Sequence, residues 1–211
     1  TKLASARYKI FGEENNPYST RGDYEHAAKK PVYNFRNFLS ERGINLKKTS
    51  IPTLDLRLNA SEIERGKKLL DSLVPKEKKT ICIFTNATGT KSYSEEWWKA
   101  FHQELKAEFK DHNIFELLPV ANVSKIDFQE PSLSSKDIRE MGAVLVNTDI
   151  FIGADCWIMH LASAVKIPTL GLFSVTNADK YQPYGNQSRA INTNEMDFND
   201  IKSVINKTLF P

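Results

Sequence analysis

Residues 152–173 read IGADCWIMHLASAVKIPTLGLF, and this stretch joins two apolar runs through a polar junction and a helical segment. The first run completes a strand predicted over residues 149–153, and the second, residues 168–173, predicts another buried strand. The junction between them contains Asp155, Trp157 and His160. A strand, a helix and a further strand in this order predict a unit of a parallel sheet.

The same alternation of apolar strands and amphipathic helices extends over residues 51–211. Strands are predicted at 54–58, 80–85, 114–120, 149–153, 168–173 and 189–192, and helices at 60–74, 95–111, 135–146, after Asp155, and at 198–209. Helix caps are predicted at Asn59 or Ser61, at Ser94, and at Ser134 or Ser135. A stripe that lies on the sheet is predicted for Trp97, Phe101, Leu105 and Phe109. The fold class is therefore α/β, a Rossmann-like, doubly wound parallel sheet.

The first fifty residues follow a different pattern. Residues 6–11 (ARYKIF) predict one strand, a polar irregular stretch follows, and residues 31–43 predict a helix. One strand, one loop and one helix cannot enclose a core of their own. We therefore predict that residues 1–50 are the remnant of an N-terminal domain with its linker helix, and that residues 51–211 form the C-terminal domain.

Composition argues against several classes of protein. The 29 Lys and Arg residues nearly balance the 26 Asp and Glu residues, for a net charge of +3, and the short basic clusters are typical of solvated faces. Nucleic-acid binding is therefore not expected. No apolar run has the length of a transmembrane helix, and no signal peptide is predicted. Cys82 and Cys156 lie in or beside apolar segments, which predicts buried, reduced thiols in a cytoplasmic protein.

The loop after the strand at 80–85 is the first candidate for a ligand site, because ligands of doubly wound sheets bind at the carboxyl ends of the strands. It reads NATGTKSYS and ends at a helix N-terminus, where unpaired amides and the helix dipole favour an anion. Thr88 offers a hydroxyl group, Gly89 allows close approach of the backbone, and Lys91 supplies a positive charge. These features suit a diphosphate, although the spacing is not that of a Walker A loop. A plain strand-to-helix connection is the alternative.

The junction after the strand at 149–153 is the second candidate. Asp155 follows a buried strand and can either cap the next helix or face a ligand. Trp157 is either a core residue or a stacking surface, and His160 is either a hydrogen-bonded interior histidine or part of a site. The two helix N-termini would converge on one crevice beside Lys91, which favours a ligand site over either structural alternative.

Two segments resemble the heptosyltransferases of bacterial lipopolysaccharide synthesis, glycosyltransferase family 9. They are NATGTKSYSEEWW, residues 86–98, and GADCWIMHLASAVKIPTLGLFSVTNADKYQPYG, residues 153–185. The family's pattern Asp-[Thr/Ser]-Gly-x-x-His-Leu-Ala and its later Pro-Tyr-Gly are matched by Asp155, His160, Leu161, Ala162, Pro183, Tyr184 and Gly185. Residues 33–44 (YNFRNFLSERGI) are similar to the segment that links the two halves of the family's enzymes.

The resemblance implies a GT-B architecture, in which two Rossmann-like domains face each other, and it concerns mainly the C-terminal, donor-binding domain. It implies an inverting glycosyltransferase that requires no metal or cofactor and uses a nucleotide sugar, commonly ADP-heptose, as co-substrate. On this resemblance Thr88 and Lys91 meet the diphosphate, and the turn at Asp155 completes the anion site. The implied donor-binding residues are Asn86, Ala87, Thr88, Gly89, Lys91, Asn122, Asp155, Cys156, Trp157 and His160.

The resemblance also implies an acceptor, which would be lipopolysaccharide or a related lipid-linked glycan at the cytoplasmic face of the inner membrane. The family's general base belongs to the N-terminal domain, so no catalytic residue is assigned here. The chain by itself is therefore expected not to transfer sugar. A peripheral membrane contact and a homodimer are further expectations.

Three positions depart from the family's pattern. Trp157 replaces the glycine of the second motif, Lys91 is followed by Ser-Tyr-Ser, and Asn122 stands near the place of a glutamate that holds the ribose. These departures leave an alternative function open. The alternative is a non-catalytic nucleotide-binding or interaction module on a degenerate GT-B domain.

Overall fold

The computed structural model describes residues 16–44, 46 and 50–210. The strand predicted at residues 6–11 lies outside this part of the chain. The chain divides into two compact units. The smaller unit comprises Thr1–Pro52 with Asn177–Tyr181, and the larger comprises Thr53–Thr176 with Gln182–Pro211.

Helices and strands alternate along the larger unit, as the sequence predicts. The helices of the described residues are α1 Lys30–Ser40, α2 Ala60–Asp71, α3 Glu95–Glu108, α4 Ile138–Leu145, α5 Trp157–Ala164, α6 Ala178–Tyr181 and α7 Phe198–Leu209. The strands are β1 Thr80–Phe84, β2 Asn113–Leu118, β3 Ser132–Ser134, β4 Ile150–Ala154, β5 Thr169–Phe173 and β6 Arg189–Asn192. In the described part of the chain, every helix is too short or too polar to cross a membrane.

In the described part of the smaller unit, polar side chains connect the loop before α1 to this helix. A proline occupies the first turn of this helix, where a missing N–H costs nothing. The buried Tyr33 donates its hydroxyl proton to Asp23 at 2.7 Å and accepts a hydrogen bond from Arg21 Nε at 2.9 Å. The tyrosine hydroxyl and Lys29 together lower the pKa of Asp23 to about 2. The carboxylate is therefore ionised at neutral pH and links the loop to the helix.

The larger unit contains one parallel sheet, with the strands of the described residues in the order β3-β2-β1-β4-β5-β6. This arrangement confirms the predicted α/β, Rossmann-like fold. The chain first builds outward from β1 to β3 and then returns to the other side of β1 with β4. Strand order therefore reverses between β1 and β4, which is the place where doubly wound sheets bind their ligands.

The core forms where helices cover the central strands. Strands β1, β2, β4 and β5 are buried along their whole length, as expected for parallel strands covered on both faces. On one face the stripe of α3 packs against the sheet beside α7. Trp98, with 0% of its surface exposed, begins this stripe, whereas Trp97 is only half-buried. The spacing of Trp98, Phe101, Leu105 and Phe109 is closer to the helical period than a strict repeat of four.

Helices α2 and α4 pack closely against each other on the larger unit. Gly66 of α2 lies where a Cβ atom would overlap the carbonyl oxygen of Ala143 in α4. A hydrogen atom at this position is therefore what permits the two helices to approach. Asn59 caps α2 and forms a capping box with Glu62, which confirms one of the two predicted caps.

The strand predicted at residues 54–58 is wrong. Leu54, Leu56 and Leu58 are half-buried and alternate with exposed residues, so the amphipathic pattern is present. However, the Leu56 amide donates to the carbonyl oxygen of Ala164 in α5 at 2.9 Å, and Arg57 has a φ of 51°. The segment lies against α4 and α5 and joins no sheet, because a residue with positive φ interrupts the pleat.

The region between β2 and α4 also differs from the prediction. Helix α4 begins at Ile138 and is capped by Asp137, whose carboxylate accepts a hydrogen bond from the Arg139 amide. Of the two serines expected to cap it, Ser134 belongs instead to β3 (Ser132–Ser134), a short strand that pairs with β2, and Ser135 accepts a hydrogen bond from the Asp137 amide. Two serines and one leucine carry no strand signal of their own, so this edge strand could not be recognised from its pattern.

Candidate functional site

The two sequence motifs meet at the reversal of strand order. The loop after β1, residues 85–94, and the turn after β4 are adjacent because the two strands pair in register, with Phe84 beside Gly153. At this edge the Nζ atom of Lys91 lies 3.5 Å from Oδ2 of Asp155. Residues 64 positions apart in the chain (155 − 91) therefore form one ion pair at the crevice.

The backbone conformation of the loop after β1 depends on a glycine. Gly89 has a φ of 62°, in the left-handed region, while a Cβ atom at this position would meet nothing within 4 Å. Its backbone conformation rather than a shortage of space therefore requires glycine. Gly89–Lys91 forms a single turn of 3-10 helix that leaves Thr88 exposed. Ser94 then caps α3 by accepting a hydrogen bond from the Trp97 amide, as predicted.

Asp155 does not cap the following helix. The N-cap residue of α5 is Cys156, and no side-chain hydrogen bond caps this helix. The Asp155 amide still pairs with the carbonyl oxygen of Leu172, so the residue extends β4 by one position. The residue is only 4% exposed, and its carboxylate lies near Lys91. The capping interpretation is wrong because the strand continues one residue further than its sequence pattern suggests.

The first turn of α5 borders the crevice. Burial raises the pKa of the Cys156 thiol to about 11, so this thiol stays protonated at neutral pH. Trp157 is 51% exposed, which excludes the alternative that it is a core residue. His160 is half-buried one turn further along the helix. The positive end of the α5 dipole thus lies near the Lys91 ammonium group, and these two features favour a bound anion.

The remaining predicted residues lie at the same edge of the sheet. The side-chain amide of Asn86 donates to Oγ1 of Thr85 at 3.2 Å and to the carbonyl oxygen of Val123 at 2.9 Å. Asn86 therefore ties the loop after β1 to the loop after β2. Ala87 is half-buried, and Asn122 is exposed with a φ of 53°. Asn122 thus has an accessible side chain at the carboxyl end of β2.

Sequence reasoning missed a buried carboxylate between these two loops. Glu116 in β2 is 0% exposed and accepts hydrogen bonds from Thr85 Oγ1 at 2.7 Å and Ser124 Oγ at 2.6 Å. Burial raises its pKa, and the two hydroxyl donors and His102 oppose this rise. A glutamate inside the apolar run IFELL was the available signal, since an acidic residue is seldom buried without partners.

Lys125 was missed as well, and it supports the loop from the other side. Its Nζ atom donates to Ser92 Oγ at 2.6 Å and to the carbonyl oxygen of Tyr93. Tyr93 in turn shares a hydrogen bond of 2.8 Å with Thr193, and burial raises the pKa of its hydroxyl group. The positions next to Lys91 are therefore fixed by contacts with two other loops.

The site presents several groups that can donate hydrogen bonds to an anion. It offers an ammonium group, an uncapped helix N-terminus, an exposed hydroxyl on Thr88 and the backbone of Gly89. Exposed apolar side chains lie on the loops after β2 and β5 and at the start of α5, namely Val120, Val123, Val175 and Trp157. In the part of the chain that the structure describes, His, Cys, Asp and Glu residues form no group of three or more that could hold a metal ion.

Comparison with known families gives one match. The model of glycosyltransferase family 9 (heptosyltransferase) matches residues 132–207. This range contains Asp155 and His160 but begins after the loop that holds Lys91. The family model does not cover that loop, so its role has to be inferred from its geometry. No curated protein matches the chain.

Solved structures share the fold at low sequence identity. A family 9 glycosyltransferase from Veillonella parvula DSM 2008 aligns with a TM-score of 0.73 and 11% identity, over 96% of this chain and 62% of its own. The ADP-heptose LPS heptosyltransferase II of E. coli aligns with a TM-score of 0.59 and 12% identity, over 80% and 56%. An E. coli heptosyltransferase solved with ADP gives 0.59 and 15%, over 84% and 56%.

The chain spans between 56% and 62% of the length of these three proteins. At such identities the alignments establish the fold, and the family model adds the sequence pattern of the region around α5. Both agree with the resemblance that the motifs predict. Residues 132–207 therefore match the model of glycosyltransferase family 9 (heptosyltransferase), and the chain shares the Rossmann-like fold of the solved glycosyltransferases that it is similar to.

Proposed function

We propose that the larger unit binds the diphosphate of a nucleotide sugar in the crevice between β1 and β4, as the donor-binding half of a heptosyltransferase-type glycosyltransferase. One observation carries this proposal. Lys91 Nζ and Asp155 Oδ2, from two separate βα units, lie 3.5 Å apart at the reversal of strand order. Ligands of doubly wound folds bind at that position.

Lys91 is the residue that meets the diphosphate. Its side chain is 29% exposed, and within the described residues Asp155 is the only partner recorded for its ammonium group. A separation of 3.5 Å is long for a charge-assisted hydrogen bond, for which about 2.7–2.9 Å is usual. The ammonium group therefore keeps donors available for a second anion on its exposed side.

Asp155 has a different role from the one implied by the resemblance. A carboxylate repels a diphosphate, so Asp155 would weaken binding if it contacted the phosphate oxygens directly. Its buried position behind Lys91 lets it orient the lysine instead. The backbone amides at the start of α5 and the hydroxyl group of Thr88 then supply neutral donors to the phosphate oxygens.

This arrangement suits transfer with inversion and without a metal ion. When the glycosidic bond to the leaving nucleoside diphosphate breaks, negative charge develops on the phosphate oxygens. A fixed ammonium group and a helix N-terminus stabilise that charge in the transition state. The acceptor hydroxyl attacks from the opposite side of the sugar, and its general base belongs to a part of the enzyme outside the larger unit.

The names of the similar proteins support a proposal for the donor and the acceptor. Two of them are heptosyltransferases, one described with ADP-heptose and lipopolysaccharide and one solved with ADP. We propose ADP-heptose as the donor and a lipid-linked glycan at the inner membrane as the acceptor. The chain is expected to bind the nucleotide but not to transfer sugar by itself, and a homodimer and a peripheral membrane contact stay predictions.

Calorimetric titration with ADP, UDP and GDP tests the proposal. Replacement Lys91→Ala should weaken ADP binding at least tenfold, because a hydrogen bond between charged groups contributes about 1.5–3 kcal/mol. Lys166→Ala is the matched control. Lys166 pairs with Asp55 at 2.9 Å, just beyond the C-terminal end of α5, and should not affect nucleotide affinity. Absence of nucleotide binding by the folded chain, or equal affinity of Lys91→Ala, contradicts the proposal.

A further inference from the structure

We propose that Glu116 is a positioning residue for the donor site: as a buried carboxylate, it fixes the loops after β1 and β2 through the hydroxyl groups of Thr85 and Ser124. The inference rests on the proposed function and names a residue outside both sequence motifs. Glu116 does not touch the crevice itself. It acts through two hydroxyl groups and the backbone of two loops.

The hydroxyl group of Ser124 makes all the hydrogen bonds that it can donate and accept. A serine hydroxyl has one proton to donate and two lone pairs to accept with. The proton goes to Oε2 of Glu116 at 2.6 Å, and the lone pairs receive the amides of Ile126 and Phe128, each at 3.1 Å. Because the amides occupy both lone pairs, the hydroxyl proton has to point towards the glutamate.

The hydroxyl group of Thr85 repeats this arrangement. It donates to Oε1 of Glu116 at 2.7 Å and accepts the Lys125 amide and the side-chain amide of Asn86, both at 3.2 Å. Both carboxylate oxygens of Glu116 are thus acceptors. Only an ionised carboxyl group offers two acceptor oxygens and no proton.

The arrangement extends to the proposed phosphate site through Lys125. The backbone amide of Lys125 is held by Thr85, and its ammonium group is held by Ser92 Oγ and the Tyr93 carbonyl oxygen. Ser92 follows Lys91 directly in the chain. Glu116 therefore determines the orientation of Thr85, Thr85 fixes Lys125, and Lys125 fixes the backbone beside Lys91.

Glutamine has nearly the same shape as glutamate but replaces one hydrogen-bond acceptor with a donor. In Glu116→Gln one terminal oxygen becomes an NH₂ group, which faces a hydroxyl whose lone pairs are already occupied. To relieve this conflict, Thr85 or Ser124 has to release one of its amides. The substitution should therefore loosen a loop without leaving a cavity in the core.

The test measures nucleotide affinity and amide hydrogen exchange on the full chain. For Glu116→Gln we expect an ADP Kd at least about fivefold higher and at least about tenfold faster exchange of the Lys125 amide or of the Ile126 and Phe128 amides. Amides of β5 should exchange at the wild-type rate. Ser124→Ala removes one of the two donors and should act in the same direction if Glu116→Gln fails to fold.

Ile205→Val is the control for a simple loss of stability. This residue is fully buried in α7, away from the loops, so its substitution should lower the melting temperature and leave ADP affinity unchanged. The inference is overturned if a folded Glu116→Gln chain binds ADP as the wild type does, or if the loop amides keep their protection. If the wild type does not bind ADP, the proposed function fails, and the exchange rates still decide whether Glu116 holds the loops.

Discussion

Two ion pairs of the larger unit differ in how many of their hydrogen-bond donors are used. Arg139 of α4 meets Glu62 of α2 through two hydrogen bonds, at 2.5 and 2.8 Å, and also donates to the carbonyl oxygens of Leu56 and Arg57. Lys91 meets Asp155 at a single separation of 3.5 Å. The first pair uses the arginine donors on protein groups, whereas the second keeps most of the lysine donors available.

We interpret the Arg139–Glu62 pair as structural and the Lys91–Asp155 pair as part of the proposed donor site. The Arg139–Glu62 pair joins α2, α4 and the segment before α2, and Glu62 also accepts a hydrogen bond from the Asn59 amide. A planar guanidinium group suits such a fixed, bidentate arrangement. The Lys91–Asp155 pair joins the loop after β1 to the turn after β4, at the carboxyl ends of the strands. There a compact and flexible ammonium group can move from one anion to another.

The largest expected effect is a loss of unfolding free energy, and it tests the contact between the structural helices α2 and α4. In Gly66→Ala the new methyl group overlaps the Ala143 carbonyl oxygen, so α2 and α4 have to separate. Overpacking of this kind costs about 1–3 kcal/mol of unfolding free energy, from which the better helix propensity of alanine recovers up to about 1 kcal/mol. Chemical denaturation measures the loss, and ADP affinity should not change.

Gly22→Ala is the matched control for Gly66→Ala, because a Cβ atom at Gly22 meets nothing within 4 Å. Its unfolding free energy should stay close to that of the wild type. Equal stability of the two alanine variants would show that α2 and α4 are free to adjust. The close approach at Gly66 would then not be a requirement of the fold.

A smaller effect is expected for Arg139→Ala, and it tests the comparison directly. The substitution removes four hydrogen bonds between α4, α2 and residues 53–59, so the melting temperature should fall. Lys91→Ala should lower the melting temperature less but weaken ADP binding more. If Arg139→Ala were the variant that lost nucleotide affinity, the assignment of the two pairs to structure and to function would be reversed.

The smallest effect concerns pH and compares the wild type with Glu116→Gln. Burial raises the pKa of Glu116 above its ordinary value of 4.5, so the folded chain binds this proton more tightly than the unfolded chain does. The protonated carboxyl group of Glu116 therefore contributes to the free energy of unfolding below pH 4.5. This contribution is lost as pH rises through the raised pKa. The titratable groups beside it are His102 of α3 and the Cys82 thiol of β1.

Urea unfolding of both chains between pH 4 and pH 8 measures this difference. The stability of the wild type relative to Glu116→Gln should decrease with rising pH and then become constant. A difference that increases with pH would mean that the hydrogen bonds from Thr85 and Ser124 outweigh the burial of the charge. The carboxylate would then stabilise the fold rather than reduce its stability.

Local signals were sufficient for most of the secondary structure. The apolar runs of β1, β4 and β5 and the stripe of α3 can be recognised in the sequence, because the residues buried in the sheet or against it are apolar at regular spacing. The same reasoning failed at residues 54–58, where alternation is present but the neighbours are helices. Periodicity reports which side chains are buried. It does not report which element covers them.

The candidate site was predicted in part for the same reason. Lys91 and Asp155 stand in loops that follow strong strands, so their meeting follows from the topology of a doubly wound sheet. Glu116 carries only the signal of an acidic residue inside an apolar run, and Ser124 and Lys125 carry no pattern of their own. Their importance comes from hydrogen bonds between loops, and such partners cannot be paired without coordinates.

The sequence by itself determined the fold class, most helix and strand positions, the family resemblance and the two loops that border the crevice. Only the tertiary structure decided that Asp155 faces Lys91 rather than capping α5, and that Glu116 lies between the loops. The physical reason is the range of the interactions. Propensity and amphipathic periodicity act over neighbouring residues, whereas the partners of a buried charge are set by packing between elements that are distant in the chain.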